Sequence, residues 1–170
     1  MRTLLTPVIL LLFISSIKAR EIQRAHRYAD TTGAWYYSEF VPRVAFTQGW
    51  RSMLDASVAL RVERMKKISF KSHSITAGAE WNFGIRKPLI GYKAGYTFVH
   101  EIFDFTGYSI GMNAVYFTDH AKGGWYLQPQ VAYELLELFE LMAQFNVPLQ
   151  QTAINYRVNT FSAGIRVWWR

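Results

Sequence analysis

From Trp35 onward the chain alternates apolar and polar residues with a period of two. In residues 53–63, Leu54, Ala56, Val58, Leu60 and Val62 share one face, and Asp55, Ser57, Arg61 and Glu63 the other. In 74–83, Ile75, Ala77, Ala79, Trp81 and Phe83 oppose Thr76, Gly78, Glu80 and Asn82. In 89–98, Ile90, Tyr92, Tyr96 and Phe98 oppose Gly91, Lys93, Gly95 and Thr97. In 107–116, Tyr108, Ile110, Met112 and Tyr116 oppose Gly107, Ser109, Gly111 and Asn113. The pattern recurs over 127–135, 139–147 and 161–169, and less cleanly over 35–47, where Tyr36, Phe40, Val44 and Phe46 oppose Tyr37, Glu39 and Arg43. Period two is the signature of a strand with unlike faces. Eight such segments of roughly ten residues have the length of strands tilted across a bilayer. The expected fold is all-β: an eight-stranded antiparallel up-and-down transmembrane barrel with a polar, plugged interior.

Some stretches break the pattern. Residues 133–145 contain good helix formers, with Glu134, Glu137 and Glu140 at every third position. A hairpin turning near Leu136 and Glu137 is preferred over an amphipathic helix, because the flanks alternate. Pro42, Pro129 and Pro148 each lack a ladder donor and are expected at bulges or strand ends. Residues 64–73 fall out of phase and read as a long turn or a bulged extension.

Alternation alone does not say which face is wet, since a soluble lipocalin-like barrel that carries a small hydrophobic ligand has the same period. The polar face decides for the membrane reading. It is rich in glycine (Gly78, Gly91, Gly95, Gly107, Gly111, Gly164), which weakens an exposed strand but suits a crowded lumen. The opposite face carries aromatics near segment ends, as an interfacial girdle would. Eight strands leave a lumen that side chains fill. The inward set holds the acids Glu39, Asp55, Glu63, Glu80, Glu134 and Glu140 and the bases Arg43, Arg61, Lys93 and Arg166. Buried charges must pair, so an ion-paired polar network is expected rather than an open pore.

The start of the chain adds an address. Residues 1–19 read as an export signal: Arg2 is positive, Val8 to Ile14 is continuously apolar, and Ala19 is a candidate cleavage residue. The run is too short to span a bilayer as a helix. Residues 20–33 form a polar periplasmic lead-in, flexible or briefly helical, and 34–170 the barrel domain. Hydrophobic residues make up 51%, aromatics 16% and charged residues 18% of the chain, and there is no cysteine. Disulfide scaffolds, thiolate metal sites and cysteine nucleophiles are excluded. The net charge of +7 does not imply nucleic acid, because no basic helix accompanies it. Anionic lipid and lipopolysaccharide phosphates are the expected neighbours.

These residues together resemble the small eight-stranded bacterial outer-membrane barrels of the OmpA/OmpX type. The resemblance covers about residues 34–170 and is architectural. Its most specific feature is the alternating final segment, ending in an aromatic pair with Trp169 penultimate. It implies a bacterial outer-membrane location, assembly by the barrel assembly machinery, and both termini in the periplasm. Turns near 64–73, 99–106 and 135–138 would then be periplasmic. Loops near 48–52, 84–88, 117–124 and 149–157 would be extracellular. Arg51, Arg86, Lys87, Lys122 and Arg157 lie in or beside those loops as candidate lipopolysaccharide contacts.

Enzymatic chemistry has little support. Ser72, His73 and Ser74, with His100 and Glu101, sit near one rim, but no hydrolase signature surrounds them. Asp119 and His120 lie at the other end and lack a third metal ligand. No catalytic residue, metal or cofactor is assigned. The expected role is structural or accessory, stabilising the membrane or anchoring a partner, and the expected state is a monomer. A lipid A- or phospholipid-modifying enzyme is the chief alternative.

Overall fold

The computed structural model describes residues 26–29, 35–66, 69–83, 88–103, 106–135 and 139–168. They form β1 (His26–Ala29), β2 (Trp35–Gln48), β3 (Ser52–Lys66), β4 (Ser69–Asn82), β5 (Leu89–Phe103), β6 (Thr106–Thr118) and β7 (Gly123–Leu135), followed by β8 (Phe139–Phe145), β9 (Val147–Pro148), a single 3-10 turn (Asn155–Arg157) and β10 (Phe161–Trp168). From β2 to β8 each strand pairs antiparallel with the next, β8 pairs with β10, and β10 pairs back onto β2. The sheet is therefore a closed eight-stave up-and-down barrel, as the eight alternating segments predict.

Closure follows from the register. Trp168 lies opposite Arg43 and Ala163 opposite Gln48, while the other edge of β2 runs from Trp35 opposite Met65 to Gln48 opposite Ser52. No long edge remains along β2 to invite another strand.

The strands are longer than the clean alternation suggests. Among the described residues of 64–73 the strands extend without a bulge: Arg64 pairs with Lys71, Met65 with Phe70 and Lys66 with Ser69. The out-of-phase apolar residues misled because backbone pairing continued past the point where the face pattern changed. The irregularity falls instead between Glu101 and Phe103. The stretch 133–145 is a hairpin, with Tyr133 opposite Leu141, Glu134 opposite Glu140 and Leu135 opposite Phe139. Its neighbours on the sheet outweigh the helix propensity of the glutamates.

Two prolines sit inside strands, contrary to expectation. Pro42 pairs with Val58 within β2. Pro129 lies within β7 opposite Met112, and facing it the last stave is interrupted at Asn146, between β8 and β9. At Pro129 the missing donor leaves a gap between the Gln130–Gln144 and Leu127–Val147 rungs, and the register is the same on both sides of it. The lead-in departs from a flexible or helical form: His26–Ala29 pairs with β2, from His26 opposite Ser38 to Ala29 opposite Trp35. Residues 1–25, the export-signal assignment included, lie outside the described residues.

Polarity is distributed inside out. Arg61, Glu80 and Glu140 are 0% exposed, whereas Ile75 is 64%, Phe40 61% and Ile110 56% exposed. β6 and β7 alternate between buried and outward-facing residues almost without exception. Outward along β6 run Tyr108, Ile110, Met112, Ala114 and Tyr116, and along β7 Trp125, Leu127, Val131 and Tyr133. Aromatics bound an aliphatic stretch on each. Eight residues at about 3.4 Å, tilted by about 40°, give a band of about 20 Å.

Candidate functional site: the polar lumen and the capped rim

All ten charged residues singled out for the interior lie on the inward face: nine are buried, and Glu63 is half-buried. Register explains how they meet. Asp55 and Glu80 lie directly opposite one another on β3 and β4, an arrangement that repels unless a cation intervenes. Lys93 of β5 supplies it, hydrogen-bonded to Asp55 and with its Nζ 3.6 Å from Glu80. Gln128 donates to both Glu80 oxygens at 3.2 Å and to Asn146 at 3.0 Å. Asn113 donates to Gln128 at 2.9 Å.

A second group centres on Arg166, opposite Glu140 on β8. Its Nη1 is 2.8 Å from Glu140 Oε2, and Nη2 donates to Gln130 at 2.6 Å. Gln130 in turn donates to Thr97 at 3.1 Å. Glu134 faces Glu140 across the β7–β8 rung, so two buried carboxylates lie side by side beside the Arg166–Glu140 pair. A third group stacks Arg43 and Arg61 on the Trp168 ring, at 5.0 and 5.2 Å from its centroid. Arg43 also bonds Thr76, and Arg61 bonds Ser72 at 3.0 Å and Glu63 at 2.7 Å. Glu39 lies opposite Arg61 in register.

Glycine makes room for these large groups. A Cβ on Gly95 would lie 1.9 Å from Asn113 Oδ1 and 2.6 Å from the Met112 carbonyl oxygen. One on Gly91 would meet the Phe117 ring at 2.7 Å and Glu80 at 2.9 Å. Several buried polar atoms, among them Arg43 Nε, Ser74 Oγ, Gln144 Oε1 and Ser162 Oγ, have no protein partner. Such atoms call for hydration rather than an apolar ligand.

Toward the end holding residues 49–51, 83, 88, 119–122 and 149–160, the interior turns apolar. Met53, Leu89, Val115, Phe117 and Tyr126 pack with Ile154 and Val158 of the last loop. That loop folds inward over the rim. Arg157 pairs with Asp119, its carbonyl accepts from Asn82 at 3.2 Å and Arg51 at 2.8 Å, and Asn159 donates to the Arg51 carbonyl at 2.7 Å. Tyr126 donates to Asn155 at 2.6 Å. Asp119 is held down to about 2 by the Lys122 backbone N–H, the Arg157 side chain and the Ala121 N–H. The sequence reading missed this cap. Its one signal was the length and asparagine content of the last loop.

The candidate lipopolysaccharide contacts separate accordingly. Lys122 is exposed. Arg51 stacks on Trp50 at 4.0 Å, and its guanidinium is lowered by burial and by Arg157. Arg157 is buried against Asp119. Arg86 and Lys87 lie outside the described residues. The rim serines and histidine do not meet: Ser72 and Ser74 are buried inside, whereas His73 is exposed on the outer face, bonded to Tyr96. His100 packs on Tyr108 outside, with ring centroids 5.4 Å apart. Among the described residues no three His, Asp or Glu are grouped to hold a metal ion.

Comparison of the chain with protein-family models, with curated proteins and with solved structures yields no match. The class the fold defines is thus an eight-stranded antiparallel β-barrel, with an architecture consistent with the OmpA/OmpX type.

Proposed function

We propose that this chain is a small integral outer-membrane β-barrel with a structural or accessory envelope role, and not an open pore. One observation carries the reading: the barrel buries its charges and exposes its large apolar side chains. Soluble monomers rarely expose apolar patches beyond a few hundred Å², whereas here apolar residues face outward from every stave, from Phe40 and Leu60 to Ile110, Val131, Leu141 and Ile165. In a bilayer that surface needs no cover, and closure leaves no lipid-exposed edge. A carrier of a hydrophobic ligand would place its apolar face in the lumen; this lumen is lined by paired charges and amides. The ion pairs and the cap over one rim favour a filled scaffold over a conduit. The three polar groups anchor neighbouring staves to one another, which suits a barrel that stabilises its membrane or holds a partner in place. It is proposed to act as a monomer among outer-membrane lipids and lipopolysaccharide, with Lys122 an exposed cation of the capped rim.

The absence of cysteine permits a direct test. Single cysteines introduced at Ile110 and Ile165 carry a fluorophore, with Lys122 as the loop control. In vesicles holding a bilayer-confined quencher, the labels at 110 and 165 are expected to be strongly quenched and the label at 122 spared. Equal, weak quenching at all three, with protein remaining in the aqueous phase, contradicts the reading.

A further inference from the structure

Three loop residues stand apart at the capped end. Trp50 and Arg51 lie in the turn between β2 and β3, and Tyr156 lies in the 3-10 turn. Arg51 is fixed twice. Asn159 clamps its backbone, accepting from the Arg51 N–H at 3.1 Å and donating to the Arg51 carbonyl at 2.7 Å. The side chain donates to the Arg157 carbonyl at 2.8 Å, and the guanidinium lies over the Trp50 ring, 4.0 Å from its centroid.

This fixing leaves most of the cation's bonding capacity unspent. A guanidinium is a planar fork of several N–H donors. Among the described residues its one acceptor is the Arg157 carbonyl, and no carboxylate pairs with it. Asp119 is the one acid in the described loops of this end, and Arg157 pairs with it. The neighbouring rings are unspent as well. Tyr156 is 70% exposed and Trp50 60%, so neither side chain is consumed in packing the cap. Burial and Arg157 lower the Arg51 guanidinium while Tyr156 raises it, which sets the phenol near the cation. A held cation with free donors favours an anion that accepts several N–H groups, as phosphate does. Exposed rings beside it favour a ligand that also brings C–H groups, because an aromatic face is negative and attracts them. A sugar ring carries such C–H groups together with hydroxyls that suit a wet rim. An acyl chain has no place at a turn beyond the strand ends.

We propose that Trp50, Arg51 and Tyr156 form a binding site for a phosphorylated sugar at the capped rim. The sugar is either the headgroup of a glycolipid in the same leaflet, a source that rests on the membrane reading above, or a free sugar phosphate. Arg51 takes the phosphate by charge-assisted hydrogen bonds, and the two aromatic rings take the C–H groups of the sugar. Trp50 follows closely on the end of β2 at Gln48, the level at which headgroups meet a membrane-spanning strand.

The test titrates the full chain, refolded in neutral detergent, with glucose 1-phosphate, glucose and inorganic phosphate. The readout is the Trp50 indole N–H resonance, assigned by its loss in W50F. The parent is expected to bind the sugar phosphate more tightly than glucose or phosphate alone. R51Q should lose about tenfold or more of that affinity, the worth of hydrogen bonds to a charged group. R51K keeps the charge but not the fork and should lose part of it. Y156A, at an exposed position, should lose the preference for sugar phosphate over inorganic phosphate. K122Q, which removes a cation outside the site, should bind as the parent does. A heat-dependent shift of mobility in SDS checks that each variant is folded. A parent that binds glucose 1-phosphate no more tightly than inorganic phosphate overturns this inference alone, as do R51Q and Y156A variants that bind like the parent. In phosphatidylcholine vesicles, a Trp50 signal that moves when lipid A is included supports the site with a headgroup as its occupant. A signal that moves only on adding glucose 1-phosphate supports it with the free sugar. A chain that stays out of vesicles yet binds the sugar phosphate overturns the membrane reading and upholds the site.

Discussion

Arg166 and Glu140 show why single inward charges matter here. They are direct cross-strand neighbours, 2.8 Å apart and buried. Removing the guanidinium takes away the direct ion-pair partner of Glu140, which lies opposite Glu134. Breaking such a pair costs about 3–5 kcal/mol, while replacing both partners by neutral groups of like size costs much less. R166M is therefore expected to lower the midpoint of urea unfolding sharply, and R166M/E140Q to recover much of the loss. Equal losses in the two variants would show that the pair is not coupled. Gly95 makes the complementary case, because a methyl group there has no space beside Asn113 and the Met112 carbonyl. G95A is expected to cost about 1–3 kcal/mol, as overpacking does, and an unchanged unfolding midpoint would contradict it. The identity of these inward residues was legible in the sequence, since period two places them on one face. Which of them would touch was not. Asp55 and Lys93 meet across two strands, and only the register, set by hairpins whose turns carry no strong signal, brings them together.

The strands and loops divide along the same line. Alternation placed all eight staves, because one face of each carries large apolar groups and a slip of one residue would reverse every side chain. Strand ends were less legible. Backbone pairing extends to Lys66 and begins again at Ser69 although the side-chain pattern there has changed. The interior prolines were misplaced because the ladder carries a single lost donor without a bulge: Pro42 and Pro129 stay in register with Val58 and Met112. The cap was invisible for another reason: its contacts join residues far apart in the chain, 38 positions between Asp119 and Arg157, and loop residues have no period. Asp119 gives it a pH dependence. Its carboxyl titrates near 2 when folded, below the ordinary 3.8, so its contribution is complete above about pH 4 and is lost as pH falls toward 2. Hydrogen exchange of residues 149–160 is expected to stay slow at pH 5 and to accelerate near pH 2 in the parent. In D119N it should already be fast at pH 5. Equal protection in D119N and parent at pH 5 would show that Arg157 does not depend on Asp119.

For the molecule as a whole, the physical logic is a soluble protein turned outward. Large apolar groups end up outside, so in the proposed membrane setting it is the bilayer that provides the apolar phase. The polar interior then acts as the specific element. Paired charges inside a closed sheet fix which strand sits beside which, and an eight-stave barrel is small enough for them to reach one another. The most direct test of this account is gel mobility in SDS of protein from the outer-membrane fraction, unboiled against boiled. The account expects a folded, faster-migrating band that converts to the full-length position on boiling, with R166M converting at lower temperature than the parent. A soluble chain that migrates identically with and without boiling would contradict it.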